Sequence, residues 1–307
     1  MSRIGSRPTG LKAKITDRVT ETETELINEH WDKIIQPQRS LFDLRLGELW
    51  KYRDLVMLFV RRDFVSVYKQ TILGPLWYLI QPLLTTITFT VIFGNIAKLP
   101  TDGLPQFLFY MSGTVIWTYF ATCLTNTSNT FVMNSQLFGK VYFPRLAVPV
   151  SILISSMITF FIQFAFFLAF MAFFALGGSS LHPNWWIAFS PVLLLIMAGL
   201  GLGFGIIISS LTTKYRDLRF LVQFGVTLLM YATTVILPFS SFPARFRWIV
   251  LANPMTPIVE IFRYPYLGGA GSVNLPDLAY SFGFMVAAVV IGTVIFNRVE
   301  ATFMDTV

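Results

Sequence analysis

Five stretches of the chain contain no Asp, Glu, Lys or Arg: 71–97, 103–139, 146–213, 220–244 and 278–297. A helix needs about 20 mostly apolar residues to cross roughly 30 Å of hydrocarbon. The third stretch is long enough for two crossings with a turn between them. The runs are continuously apolar rather than alternating, which points to helices and not to a barrel of strands. The pattern predicts six spans, near 72–96, 105–127, 148–176, 186–211, 220–239 and 278–297. The expected fold class is therefore an all-α membrane protein with six transmembrane helices.

The positions just before the first span follow a different rule. At roughly 100° per residue, Val56, Phe59, Val60, Phe64 and Val67 fall on one arc of a helix over residues 51–70, and Lys51, Asp54, Arg61, Arg62 and Lys69 fall on the opposite arc. Arg53 and Asp63 break the pattern. Such a helix lies in the membrane interface. Gly74-Pro75 then marks the turn into the first span, because a proline near a helix start loses no hydrogen bond.

The remaining connections are uneven. Residues 1–45 are polar and read as a cytoplasmic tail, with a short helix expected near Leu26–Ile35. The loop from 130 to 149 is short and polar, and Pro144 and Pro149 limit any helix in it to a couple of turns. The segment from Ser240 to Pro276 is too long for a simple outer turn. Its apolar pieces, Trp248–Ala252 and Ile258–Phe262, are too short to cross and suit two re-entrant half-helices between spans five and six.

Composition agrees with the spans: 54% of residues are hydrophobic and only 13% charged, where a soluble domain carries about 25% charged residues. Charge gives the orientation. One set of connections holds Lys51, Arg53, Arg61, Arg62, Lys69, Lys140, Arg145, Lys214, Arg216, Arg219 and Arg298, and the other only Lys98, Arg245, Arg247 and Arg263. The positive-inside rule then puts both termini in the cytoplasm. The net charge of +7 is thus a topology signal, and nucleic acid is not an expected partner.

Chemistry of the chain's own is hard to find. Cys123 is alone inside a span, and His30 and His182 are isolated, so neither a disulfide nor a metal site is expected. No phosphate-cradling loop is present: the only Gly-Lys, Gly139-Lys140, has Asn134 where the first glycine belongs. Asp217 and Glu260 read as isolated carboxylates. The spans hold no ionisable residue of the kind that ion-coupled transporters use. Transport against a gradient would need energy from another subunit, and no cofactor is expected.

Three stretches resemble the membrane-spanning permease of ABC exporters that move long polysaccharides, as in O-antigen and teichoic-acid export. They are Glu48-Leu-Trp-Lys-Tyr-Arg-Asp-Leu55, Tyr68-Lys-Gln-Thr-Ile-Leu-Gly-Pro-Leu-Trp-Tyr-Leu-Ile-Gln-Pro-Leu83 and Asn253-Pro-Met-Thr-Pro-Ile-Val-Glu-Ile-Phe-Arg-Tyr264. The resemblance covers residues 45 to about 300. It implies a six-span permease domain over 46–307 that forms a homodimer in a bacterial cytoplasmic (inner) membrane. Two copies of a separate ATPase would power it, and its substrate would be a polysaccharide linked to undecaprenyl diphosphate.

The resemblance also assigns parts. It makes 51–70 the interfacial helix, 131–145 the loop that couples to the ATPase, and 240–268 the re-entrant outer segment. Coupling candidates are Phe138, Lys140, Tyr142, Phe143 and Arg145, with the three aromatics as apolar anchors in an ATPase groove. Arg61, Arg62 and Lys69 either hold the diphosphate or simply anchor the helix by charge. Rings that would line a glycan path are Trp77, Tyr78, Phe89, Trp117, Tyr119, Phe120 and Tyr231, and each has the alternative of packing or an interfacial belt. Trp77, Phe89 and Tyr231, on spans one and five, are expected at the dimer face. Gly199, Gly201, Gly203 and Gly205 read as close-packing positions.

Two rival functions remain at this stage. An exporter of small drugs or lipids on the same scaffold is the nearer. A membrane glycosyltransferase or acyltransferase is the more distant, because it needs catalytic carboxylates or histidines at a membrane edge.

Overall fold

The computed structural model describes residues 46–303, except 70, 71, 139, 142, 180, 213, 214, 216 and 269–273. The expected tail over 1–45 and its helix, and the residues Tyr142, Lys214 and Arg216, lie outside the described residues. All regular structure among the described residues is helical. A short helix α1 (Leu46–Lys51) leads into α2 (Arg53–Tyr68), then α3 (Trp77–Phe89), which continues as a π-helical segment over Thr90–Ile96. After these come α4 (Gln106–Ser128), the one-turn helices α5 (Thr130–Met133) and α6 (Ser135–Phe138), α7 (Ala147–Leu176) and α8 (Ser190–Thr212). The chain ends with α9 (Leu218–Tyr231), α10 (Arg247–Ala252), α11 (Met255–Leu267) and α12 (Leu275–Phe303).

Five helical segments are long and apolar enough to cross a bilayer: Gly74–Ile96, Gln106–Ser128, Ala147–Leu176, Trp185–Thr212 and Leu275–Val299. They match five of the expected spans to within three residues at either end. The centre of the bundle is α4. Its mean hydropathy of 1.3 is the lowest of the five, yet it is the most buried. In lipid the apolar side chains have no water to hide from, so small and polar groups share the interior with large rings such as Phe109 and Trp117. Ser112, Thr114, Thr127 and Ser128 of α4 are all buried.

Helix α8 packs between α4 and α12 on its glycines. A Cβ at Gly201 would lie 2.6 Å from Cβ of Cys123 on α4, and a Cβ at Gly203 would lie 2.7 Å from the carbonyl carbon of Ala288 on α12. The close-packing reading of these positions holds: alternate glycines face opposite neighbours.

The fifth expected span, 220–239, is different in the structure. Helix α9 has 14 residues and ends at Tyr231, about 21 Å of helix. The chain then turns, and Thr233, Thr234, Val235 and Ile236 are buried. Irregular backbone deep in a membrane protein needs its polar groups satisfied from elsewhere. Arg263 of α11 does this: it donates from Nη1 to the Thr234 carbonyl and from Nη2 to the Val235 carbonyl at 2.9 Å. The early end of α9 is therefore set by a side chain about 30 positions away, which no local pattern announces.

Glu260 is not isolated, contrary to the sequence reading. One turn before Arg263 on α11, its Oε1 lies 3.7 Å from Arg263 Nη1. Burial pushes its carboxyl up and the Arg263 charge opposes that. The two apolar pieces expected between spans five and six correspond to α10 and α11, and α11 is longer than a half-helix. Gly268, with φ 74°, ends α11 in the left-handed region that glycine favours.

Candidate functional site

Helix α2 is amphipathic as expected. Val56, Phe59 and Val60 are buried, and Arg53, Arg61 and Arg62 are exposed, as is Lys51 at the end of α1. Its apolar face is fixed by a chain of rings. Phe59 meets Phe143 at 5.7 Å, Phe143 meets Phe138 at 5.6 Å, Phe138 meets Phe131 at 5.9 Å, and Phe131 stacks on Phe296 of α12 at 4.7 Å. This cluster ties α2, the 131–145 loop and α12 into one unit.

That arrangement corrects part of the coupling assignment. Phe138 and Phe143 are buried in this chain's own cluster and are not exposed anchors for a partner. Arg145 is buried too, with its guanidinium 5.6 Å over the Phe138 ring. Phe138 and Phe143 pack inward because α2 lies across the loop and gives them apolar cover. Among the described residues of the loop, Met133, Gln136, Lys140 and Val141 are exposed.

Beside this cluster is a cavity of about 490 Å³. Arg62, Asp63, Phe64 and Ser66 of α2 form one side. Thr122 and Asn126 of α4, Asn129 just after it, Met133 of α5 and Asn134 just beyond form a second, and Val148, Ile152, Ser155, Ser156 and Thr159 of α7 form a third. Tyr78 of α3 closes it, stacked on Phe64 at 6.4 Å and held through its carbonyl by Gln163 Nε2 at 3.1 Å. From Val148 to Thr159 the wall runs about 16 Å along α7. Apart from Arg62 and Asp63 the polar lining is neutral, made of asparagine amides, serine and threonine hydroxyls and the Tyr78 phenol.

The electrostatics at the rim are local. Arg62 donates from Nε to Asp63 Oδ1 at 2.9 Å, its Nη2 lies 2.8 Å from the same oxygen, and its guanidinium sits 4.9 Å over the Phe59 ring. Two of the asparagines are oriented by the backbone: Asn129 Nδ2 donates to Thr125 O at 2.9 Å and Asn134 Nδ2 to Thr130 O at 3.0 Å.

The structure brings together Arg62 and Tyr78 of the expected site residues. Arg61 on α2 and Lys69 just after it are exposed, outside the cavity lining, and Trp77 and Tyr231 are exposed on α3 and α9. Phe89, Trp117, Tyr119 and Phe120 are buried in the core and act there as packing. Sequence reasoning missed the asparagine and hydroxyl wall. Its signal was present: Thr122, Asn126 and Asn129 share one helical stripe, and Val148, Ile152, Ser155 and Thr159 share another.

Comparison with known proteins adds the context. The profile of the ABC-2 type transporter family matches residues 54–267. The chain is similar to the O-antigen export system permease protein RfbA of Klebsiella pneumoniae, with 27% identity over 253 residues, 82% of this chain and 94% of that protein. A second Klebsiella pneumoniae protein of the same name is 26% identical over the same shares, 82% and 94%. A Myxococcus xanthus protein of that name is 27% identical over 70% of this chain and 81% of its own length.

Proposed function

The chain belongs to the ABC-2 type transporter family, and from that premise we propose that it is the permease subunit of a polysaccharide exporter. The substrate is a glycan of O-antigen type on undecaprenyl diphosphate, and the membrane is the cytoplasmic membrane of a bacterium. The observation that carries this reading is similarity to O-antigen export permeases over 70–82% of the chain. An amphipathic helix with exposed Arg61 and Lys69, beside a polar cavity, suits an amphiphile with an anionic head.

In this reading the chain crosses six times, with α9 and the buried turn after it as the fifth crossing, and both termini are cytoplasmic. Helices α10 and α11 dip into the outer side and return. Two copies form the permease, with Trp77 and Tyr231 at their common face, and two copies of a separate ATPase supply the energy. The ATPase docks on the exposed side of the 131–145 loop. Phe138 and Phe143 then carry its movement to Phe59, so that nucleotide-driven motion displaces α2 and opens the cavity side to lipid. Arg61 and Lys69 hold the diphosphate at headgroup depth, where charge-assisted hydrogen bonds to phosphate are strong.

Deleting the gene tests this. Lipid-linked glycan should accumulate inside the cell, surface glycan should disappear, and the wild-type gene on a plasmid should reverse both. A deletion strain with normal surface glycan and no internal accumulation would overturn the reading.

A further inference from the structure

We infer that the cavity between α2, α4 and α7 is a binding site for a neutral, hydroxyl-rich group, and that the diphosphate stays outside it. On the proposed function, on which this rests, that group is the first sugar of the lipid-linked chain. The argument begins with charge. Among the fifteen lining residues only Arg62 and Asp63 are charged, and they pair with each other at 2.8 Å. A diphosphate brought into this space would meet no net positive charge, and burying an anion without a counter-charge is costly.

The donor set fits hydroxyls. Asn129 and Asn134 each spend one N–H on a carbonyl one turn back. That fixes the amide plane and leaves the carbonyl oxygen and the second N–H for a ligand. A sugar hydroxyl donates and accepts at once, and a fixed amide answers both needs. The exposed side-chain amide of Asn126 makes no hydrogen bond with the described residues, and the buried Ser155 hydroxyl has no partner among them. Phe64 and Tyr78, stacked on each other, supply an apolar face for the C–H side of a ring. The volume of about 490 Å³ lies within the range of small-ligand sites, about 300–1,000 Å³.

The test uses the complex of this permease with its ATPase, in phosphatidylcholine vesicles, whose headgroup carries no hydroxyl. ATPase stimulation is titrated with two probes: the lipid-linked glycan extracted from the source cells, and bare undecaprenyl diphosphate. Asn126→Leu should raise the half-maximal concentration of the glycan probe about tenfold, as losing two neutral hydrogen bonds predicts, and leave that of the bare probe unchanged. Ser155→Ala should move the glycan probe in the same direction by about threefold. Arg61→Ala should shift both probes. If Asn126→Leu and Ser155→Ala leave the glycan probe unmoved, or shift both probes alike, the sugar site is wrong while export stands. If neither probe stimulates the wild-type complex, the export reading fails and takes the site with it.

Discussion

The guanidinium of Arg263 lies 3.8 Å over the centre of the Phe109 ring and also donates from Nη2 to the Phe109 carbonyl at 3.3 Å. With Ser112 Oγ at 3.2 Å from Nε and the Thr234 and Val235 carbonyls, one buried side chain joins α4, α11 and the turn after α9. Removing it takes the guanidinium from the Thr234 and Val235 carbonyls and from the Glu260 carboxyl, while the Phe109 carbonyl keeps the Ser112 hydroxyl at 2.8 Å. Arg263→Met should cost about 3–5 kcal/mol, read as a fall in the thermal unfolding midpoint of the detergent-purified protein. Adding Glu260→Gln removes the stranded charge and should recover part of the loss. A double variant as unstable as the sum of the two single ones would show that no such coupling exists.

The same cluster depends on a glycine. A Cβ at Gly113 would fall 2.7 Å from Arg263 Nη2 and 3.1 Å from the Val235 Cα. Gly113→Ala should therefore destabilise by about 1–3 kcal/mol through overpacking. Gly283→Ala on α12, where nothing lies within 4 Å, should stay within about 0.5 kcal/mol of wild type. Equal midpoints for the two variants would remove the steric argument.

The coupling loop separates two effects that the sequence ran together. Phe138→Ala empties a buried position and should cost about 3–5 kcal/mol, lowering the amount of folded permease in the membrane. Lys140→Glu and Val141→Asp change only exposed positions. They should leave the permease level normal and abolish co-purification of the ATPase. The docking surface is misplaced if both exposed variants still co-purify with it at wild-type yield.

Five of the six expected spans were legible because crossing lipid needs only length and apolarity, which a single sequence displays. Burial within the bundle was not. Trp117, Tyr119 and Phe120 look the same to the reader whether they face lipid, a glycan or a neighbouring helix, since apolarity has no gradient to follow inside a bilayer. The loop aromatics went astray for a related reason: only the placement of α2 over residues 131–145 turns Phe138 and Phe143 inward. Half of the cavity was readable as polar stripes on α4 and α7. That the two stripes face each other, under α2, is tertiary information.

The expected dimer face can be tested without first removing the natural cysteine, because Cys123 is buried and gives no background to a membrane-impermeant or short cross-linker. Trp77→Cys and Tyr231→Cys introduce thiols at exposed positions. In a two-fold dimer the same patch is used twice, so each should yield a cross-linked pair, and Phe89→Cys, at a buried position, should not. Pairs formed only from Phe173→Cys, an exposed site on α7, would place the interface elsewhere.

Arg61 and Arg62 are neighbours in sequence with different surroundings. Arg62 is tied to Asp63 at 2.8 Å, whereas Arg61 forms no ion pair with the described residues. If Arg61 grips the diphosphate with its planar fork, Arg61→Lys gives up one of two parallel hydrogen bonds. A hydrogen bond to a charged group is worth about 1.5–3 kcal/mol, so the half-maximal concentration of bare undecaprenyl diphosphate in the ATPase assay should rise about ten- to a hundredfold. Arg62→Lys keeps the charge beside Asp63 and should change it less than threefold. Arg61→Ala should be at least as severe as Arg61→Lys. Should both lysine variants match wild type at equal membrane levels, the helix uses its arginines for orientation alone, since the positive-inside rule counts charge and not shape. The diphosphate contact would then have to be sought at Lys69 or on another element.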